Sequence, residues 1–373
     1  MSLIPVFKPS YDEAELNALR EPFLSGWVGL GPKTKEFEER FADYIGVGHA
    51  IALNSATAAL HLAYLVAGIK GQEVITTPMT FVSTNHAILY CGGIPVFCDI
   101  EADSLNVDLS TVEELVTERT RAIVVVHYGG YAVDMEKALD FARRFNLVVI
   151  EDASHAAGGE WQGRKLGSIG DLGCFSFHAV KNLACGEGGM IVTNDQDVAG
   201  RLRRLRWLGI TKDTFSRDDG PLKGYSWYYD VVELGHKYHM NDIPAAIGLV
   251  QLSKLEGTNA RRAALVARYN ERLRGVGDIE IPVKKPYMSK PAYHNYVIKT
   301  SRRDKLNEFL KERGISTSVH YYPNHLYDIY KPYYRALPVT ESVWRRLLTL
   351  PLFPDLTDEQ HDSIVQAITE FYG

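Results

Sequence analysis

The stretch AIVVVHYGGYAVDMEKALDFARRFNLVVIED, Ala122–Asp152, decides the fold. Its two ends, AIVVVHY (Ala122–Tyr128) and LVVIED (Leu147–Asp152), are short apolar runs with little polar alternation, as strands buried on both faces should be. Met135–Phe145 between them carries a helical pattern. Strand, crossing helix and second buried strand predict a right-handed crossover in a parallel sheet.

The same alternation extends outward in both directions. HAIAL (His49–Leu53), EVIT (Glu73–Thr76) and IPVFCDI (Ile94–Ile100) are further buried runs, and helical patterns cover Ala58–Ala67, Ser83–Tyr90 and Val198–Leu208. The first two thirds of the chain therefore read as an α/β layer with a mostly parallel sheet. Near Gly257 the pattern changes. Two helical stretches, Asp242–Leu255 and Asn259–Leu273, lead into a β-run (Asn295–Lys299), a helix (Asp304–Arg313), a second β-run (Ser316–Tyr321) and two helices near the end. We expect a large domain over residues 1–256 and a smaller C-terminal α+β domain over 257–373. Thr211–Glu233 stands apart as a charged, aromatic-rich loop with Phe215, Tyr225, Trp227, Tyr228 and Tyr229, a composition that points to function or mobility.

Composition removes several classes. The 373 residues are 46% hydrophobic and 23% charged, ordinary values for a globular chain with a sizeable core. A net charge of −5 gives no electrostatic case for nucleic acid. The run RLRRLR (Arg201–Arg206) is expected to be the solvated face of a helix that buries Leu202 and Leu205. Four cysteines without a C-x-x-C pair exclude a disulfide scaffold and a zinc ribbon, and suggest reduced thiols in the cytoplasm. MSLIPVFKPSYDE has neither a basic start nor an apolar run, so no signal peptide is expected there. The 26 residues between Asp43 and Lys70 lack Asp, Glu, Lys and Arg, but Asn54, Ser55 and Thr57 interrupt them. A strand, a turn and a helix explain them better than a membrane span.

Familiar catalytic motifs are absent: no P-loop, no H-E-x-x-H, no G-x-S-x-G, and no dinucleotide fingerprint after the first strand. Four separated elements remain. NSATAAL (Asn54–Leu60) joins a strand to a helix start, where small residues and free N–H groups favour a phosphate, although Ser and Thr also serve there as plain caps. Asp152 ends a strand at the crevice of the sheet, where a capped turn is the plainer explanation. Lys181, in FSFHAVKN (Phe175–Asn182), sits among apolar and small residues, whereas a structural lysine normally keeps to a solvated face. Phe81, in TPMTFVST (Thr77–Thr84), lies just beyond a strand and on its own reads as core. Together they fit pyridoxal phosphate, which needs a Schiff-base lysine, an acid beside the pyridinium nitrogen, a phosphate site and an aromatic face. Lys181, Asp152, the Asn54–Ala58 turn with Ser176, and Phe81 supply one each.

EDASHAAGGEWQGRKLGSIGDLGCFSFHAVKNLACGEGGMIVTND, residues 151–195, resembles the core of the DegT/DnrJ/StrS aminotransferases. These are fold-type I, pyridoxal-phosphate-dependent enzymes acting on nucleotide-linked keto sugars. The resemblance runs nearly end to end, through SGWVGLGPKTKEFE, LNSATAALHLA, TPMTFVSTNHAI, GHKYHMNDIPAAIGLVQL, HYYPNHL and LPLFPDLTDEQ. FHAVKNLACGEGG and GHKYHMND look closest to the branch that aminates at C4, such as the 4-amino-4-deoxy-L-arabinose synthases.

This resemblance implies a large domain with a mostly parallel, seven-stranded sheet flanked by helices, and a smaller C-terminal α+β domain. It implies that Lys181 forms the Schiff base, that Asp152 pairs with the pyridine nitrogen, and that His155 bonds the cofactor's phenolic oxygen. The backbone at Ala56 and Thr57 and the Ser176 hydroxyl would hold the phosphate, and Phe81 would cover the ring. Lys237 stands where most relatives carry an Asn that reaches the phosphate from the neighbouring subunit. Relatives that dehydrate rather than aminate replace the lysine by histidine, so Lys181 favours transamination.

The implied reaction moves an amino group from L-glutamate to a nucleotide-linked 4-keto (6-deoxy) sugar, in a homodimer with active sites between subunits. The alternatives are a C3-keto sugar, a cyclitol, or a pyridoxal-phosphate-binding regulator without turnover. His320, Tyr322 and His325 of HYYPNHL are candidate sugar or diphosphate contacts, with turn capping and packing as the plainer explanation. The five-residue spacing of His320 and His325 does not suit a helical metal pair, and no metal is expected.

Overall fold

The computed structural model describes residues 3–211 and 229–373. Eleven strands are described: β1 (His49–Leu53), β2 (Glu73–Thr76), β3 (Ile94–Phe97), β4 (Thr120–Val126), β5 (Val148–Asp152), β6 (Glu160–Trp161), β7 (Arg164–Lys165), β8 (Leu172–Ser176), β9 (Gly189–Thr193), β10 (Tyr296–Lys299) and β11 (Leu347–Leu350). Seven form one sheet in the order β1-β9-β8-β5-β4-β2-β3. The β2–β3, β2–β4, β4–β5 and β5–β8 pairs are parallel, while β9 runs antiparallel to β8 and β1.

Successive residues on a strand point to opposite faces, and the core divides accordingly. Ile123, Val125 and Val149 pack on one face with Phe37, Phe41 and Met135. Ala122, Val124 and Ile150 pack on the other with Leu60, Ala63 and Ile88. Both faces are covered by helices, which is why these strands read as near-continuous apolar runs. The helix Met135–Phe145 lies where its periodicity predicts.

The C-terminal unit has its own core, in which Leu265, Tyr269, Tyr296, Leu306, Leu348 and Ile364 pack together with Ile4 from the start of the chain. Three expectations here need correction. A single 32-residue helix, Asp242–Leu273, replaces the two stretches predicted on either side of Glu256 and Gly257. Its buried residues, including Ala245, Leu255, Leu265 and Tyr269, anchor it at both ends, and packing overrides the roughly 1 kcal/mol that an interior glycine costs. Ser316–Tyr321 forms no strand among the described residues, making a bridge from Ser318 to Thr349 and a bond from Ser316 N–H to the Ile4 carbonyl, and the strand pairing with β10 is instead β11, Leu347–Leu350. Arg206, expected on a solvated face, is buried; its Nη1 pairs with Glu38 and donates to the Ala52 carbonyl at 3.0 Å. Leu202 and Leu205 are buried as expected. Among the described residues no helix is long and apolar enough to cross a membrane.

Candidate active site

A cavity of about 810 Å³ opens at the C-terminal ends of the parallel strands, where ligands bind in open α/β sheets. The large unit lines it with Ala56, Thr57, Phe81, Asp152, Ser176 and Lys181, among others. The small unit contributes His294, Arg303, His320, Tyr321 and Tyr322, and Phe7 comes from the start of the chain.

Asp152 is the last residue of β5 and is buried. Thr84 Oγ1 donates to its Oδ2 at 2.7 Å, and the backbone N–H of Ser154 donates to Oδ1 at 3.1 Å. Thr84 is carried by the helix Val82–Tyr90 and is wholly buried. Glu151, one residue earlier, points to the opposite face. It takes N–H groups from Gly167, Ile169 and Gly170 and pairs with His127 at 2.9 Å. Neighbouring acids on one strand thus do separate jobs: Glu151 holds the turn after β7, and Asp152 faces the cavity.

Lys181 follows β8 in a turn closed by its own N–H on the His178 carbonyl at 2.9 Å. The next residue anchors it: Asn182 Nδ2 donates to Asn259 Oδ1 at 2.8 Å and to the Ala292 carbonyl at 2.7 Å. Burial pushes the Lys181 ammonium down to about 8, against the opposing pull of Asp152. At pH 7 roughly a tenth of such a lysine is neutral, several hundred times more than at its ordinary value.

The expected phosphate site lies where β1 gives way to the helix Ala56–Ala67. Ser55 caps that helix, its Oγ accepting from Ala58 N at 3.1 Å. The N–H groups of Ala56 and Thr57 have no acceptor among the described residues, the usual state of a helix start that awaits an anion. Gly189 on β9 makes this possible. A Cβ there would lie 2.3 Å from the Ser55 carbonyl oxygen and 2.7 Å from Ala56 N. Ser176 ends β8 beside this turn, with its hydroxyl 3.4 Å from the His178 N–H.

His155 is buried, with Nδ1 accepting the Gly129 N–H at 3.3 Å and Nε2 lying 3.0 Å from the Tyr321 hydroxyl. Burial, with Lys181 nearby, drives its pKa well below the ordinary value, so the ring is neutral with its proton on Nε2. Phe81 is 58% exposed at the cavity, tilted toward Tyr321 with ring centres 6.3 Å apart. Its exposure argues against the core reading of that residue.

The remaining predicted residues divide. His320 lines the cavity and its Nδ1 meets Thr349 Oγ1 at 2.8 Å; burial lowers its pKa to about 4. Tyr322 lines the outer wall. His325 is not a wall residue: it is fully buried, with Nε2 3.2 Å from Glu341 Oε1 and its ring stacked on Tyr334. Lys237 sits outside the cavity, its Nζ 3.4 Å above the Trp207 ring. The Thr211–Glu233 loop falls largely outside the described residues. Sequence reading missed Thr84, Tyr321, His294 and Arg303. Tyr321 adjoins two residues that were chosen, but only the fold reveals which member of HYYPNHL turns inward.

These residues fit pyridoxal phosphate. A desolvated lysine, a buried carboxylate with both oxygens engaged by donors, a free helix N-terminus and an exposed aromatic face share one cavity.

Comparison with known proteins agrees. Residues 9–369 match the DegT/DnrJ/EryC1/StrS aminotransferase family, and the chain belongs to it. It is 38% identical to the spore coat polysaccharide biosynthesis protein SpsC of Bacillus subtilis, over 98% of this chain and 96% of that one. Its fold is similar to that of Helicobacter pylori PseC, an aminotransferase involved in pseudoaminic acid biosynthesis (TM-score 0.92, 29% identity, 100% and 99% of the two chains). It is also similar to Spr1654 of Streptococcus pneumoniae in its PMP form (TM-score 0.91, 32% identity, 98% of each chain). The chain is a pyridoxal-phosphate-dependent sugar aminotransferase.

Proposed function

We propose that this enzyme moves the amino group of L-glutamate to the ketone of a nucleotide-linked 4-keto sugar, giving a 4-amino sugar for polysaccharide or related glycan synthesis. The observation that carries the reading is the convergence of Lys181, Asp152 and the Ala56–Thr57 helix start on one cavity large enough for more than the cofactor. The sequence of the Lys181 loop, closest to the C4-aminating branch, supports the regiochemistry. The part SpsC plays in spore coat polysaccharide synthesis supports the glycan destination.

Bound pyridoxal phosphate supplies an electron sink for the carbanion formed at the amino donor. Lys181 would hold the cofactor through its Nζ, and the same Nζ, when free, would remove the proton from the donor's α-carbon and return one later, the work of a general base and acid. A pKa near 8 suits that double duty close to neutral pH. Asp152 keeps a proton on the pyridine nitrogen, and Thr84 and the Ser154 N–H hold its carboxylate in place. Ala56, Thr57 and Ser176 bind the phosphate, Phe81 covers one face of the ring, and neutral His155 lies beside Lys181 without adding a second charge. We assign Lys237 to the phosphate of the adjoining subunit in a cytoplasmic homodimer, and the residue ranges 1–256 and 257–373 to its two domains.

The test is a panel of UDP-, GDP- and dTDP-linked 4-keto sugars with glutamate, analysed for aminated product. Amination of at least one at C4 is expected. Amination only of 3-keto sugars or cyclitols would replace the substrate assignment, and no amination of any would remove it.

A further inference from the structure

Among the described residues, Arg303 is the cationic wall residue that the chemistry above leaves without a task. It opens the helix Arg303–Glu312, lines the cavity, and its side chain is only 12% exposed. Its guanidinium carbon lies 5.8 Å from the centre of the Trp344 ring, which also lines the cavity. Tyr322 meets Trp344 edge-on at 5.0 Å, so the guanidinium rests on a braced aromatic wall. Its Nε forms an ion pair with Asp304 Oδ1 at 2.5 Å, outside hydrogen-bond geometry, and the Asp304 carboxylate is 82% exposed. The Nη groups have no acceptor among the described residues.

The other charges on the wall are accounted for. Lys181 and Asp152 serve the cofactor, and Glu187 lies out in solvent, 3.7 Å from His178. Of the four wall histidines, His155, His294 and His320 are held neutral by burial and by Lys181, and His178 lies half exposed beside Glu187. Among the described residues, Arg303 is therefore the permanent cation that a substrate entering this cavity meets, paired through Nε with the exposed Asp304 and with its Nη groups open. A planar guanidinium backed by an indole presents a rigid fork of N–H donors that matches a carboxylate or a phosphate, which a lysine at the same point would not.

We propose that Arg303, oriented by Trp344, is the subsite for an anionic group of a substrate: a carboxylate of the amino donor or the diphosphate of the sugar nucleotide. The proposal deepens the sugar-amination reading and rests on it for the identity of the substrates. Charge-assisted hydrogen bonds of this kind change affinity by roughly 10- to 100-fold.

The experiment titrates the holoenzyme with glutarate and with inorganic pyrophosphate by calorimetry, in wild type, Arg303→Gln, Arg303→Lys and Trp344→Leu. Wild type should bind at least one probe, and Arg303→Gln should weaken that probe roughly 10- to 100-fold. Arg303→Lys should fall between, because it keeps the charge and loses the fork, and Trp344→Leu should show a smaller loss. The visible cofactor absorbance should be unchanged throughout. A loss confined to glutarate assigns the donor carboxylate, with a matching rise in KM for glutamate. A loss confined to pyrophosphate assigns the diphosphate, with KM rising for the sugar nucleotide instead. If wild type binds neither probe, or Arg303→Gln binds both as wild type does, the subsite is wrong. Probe binding that depends on Arg303 in an enzyme that aminates no sugar nucleotide would keep the subsite and overturn the sugar reading, so the two fail separately.

Discussion

The Thr84 hydroxyl donates to Oδ2 of Asp152 across 2.7 Å, joining the helix after β2 to the end of β5. Thr80 Oγ1 lies 2.8 Å from the same hydroxyl and completes a buried chain that fixes the carboxylate. Thr84→Val keeps the shape of the side chain and removes the donor. A charged acceptor left short of a partner costs about 1–3 kcal/mol. We expect a lower unfolding midpoint and a kcat reduced by about tenfold or more, as a loosened carboxylate loses its orientation. Thr84→Ser should recover most of both; equal loss in the two variants would mean packing, not the hydroxyl, is what matters.

The pH behaviour of Lys181 follows from its lowered pKa. A lysine at about 8 in the folded protein and 10.5 when unfolded binds fewer protons folded than unfolded between those values. Its contribution to stability therefore rises with pH across that window and is flat, and unfavourable, below about 8. Lys181→Met should make the cofactor-free protein more stable at pH 7, by about 1–3 kcal/mol. The gap between variant and wild type should narrow as pH climbs from 8 toward 10.5. Urea unfolding of both proteins at a series of pH values measures it, and a gap that stays constant would refute the shift.

Gly189 leaves room for the Ser55–Ala56 turn, the proposed phosphate site, and nothing more. Gly189→Ala would drive a methyl into the Ser55 carbonyl and the Ala56 N–H. A displaced helix start should weaken cofactor affinity by tenfold or more and cost about 1–3 kcal/mol of stability. Equilibrium dialysis against pyridoxal phosphate measures the first effect and thermal unfolding the second.

Gly257 offers the opposite case. It lies inside the Asp242–Leu273 helix, and a Cβ there meets nothing within 4 Å. Gly257→Ala should raise stability by about 0.5–1 kcal/mol with activity unchanged. Destabilisation would mean that the helix needs the glycine for a bend.

That glycine also marks where the sequence was hardest to read. Gly257 beside Thr258 and Asn259 weakens local helix propensity, and only burial of residues on both sides carries the helix through. The parallel strands were legible because burial on both faces leaves continuous apolar runs. β8 and β9 were not, since LGCFS and GMIVT carry glycines at the points where the backbone approaches a neighbour. Lys181, Asp152 and the Ala56–Thr57 turn, which the structure brings to one cavity, could be singled out because each departs from what a core or a surface normally tolerates. Thr84 and Tyr321 could not: a threonine in a helix and a tyrosine in a turn are ordinary until the fold points them at Asp152 and His155. His325 misled for the same reason, since a histidine turned inward onto Glu341 has the same sequence signature as one that faces a ligand.

Attachment of the cofactor to Lys181 is the central claim and can be read directly. Borohydride reduction of the holoenzyme followed by peptide mass mapping should place the reduced pyridoxyl group on Lys181 and leave the Lys181→Ala protein unlabelled. Labelling of a different lysine in the wild-type protein, or none, would contradict it.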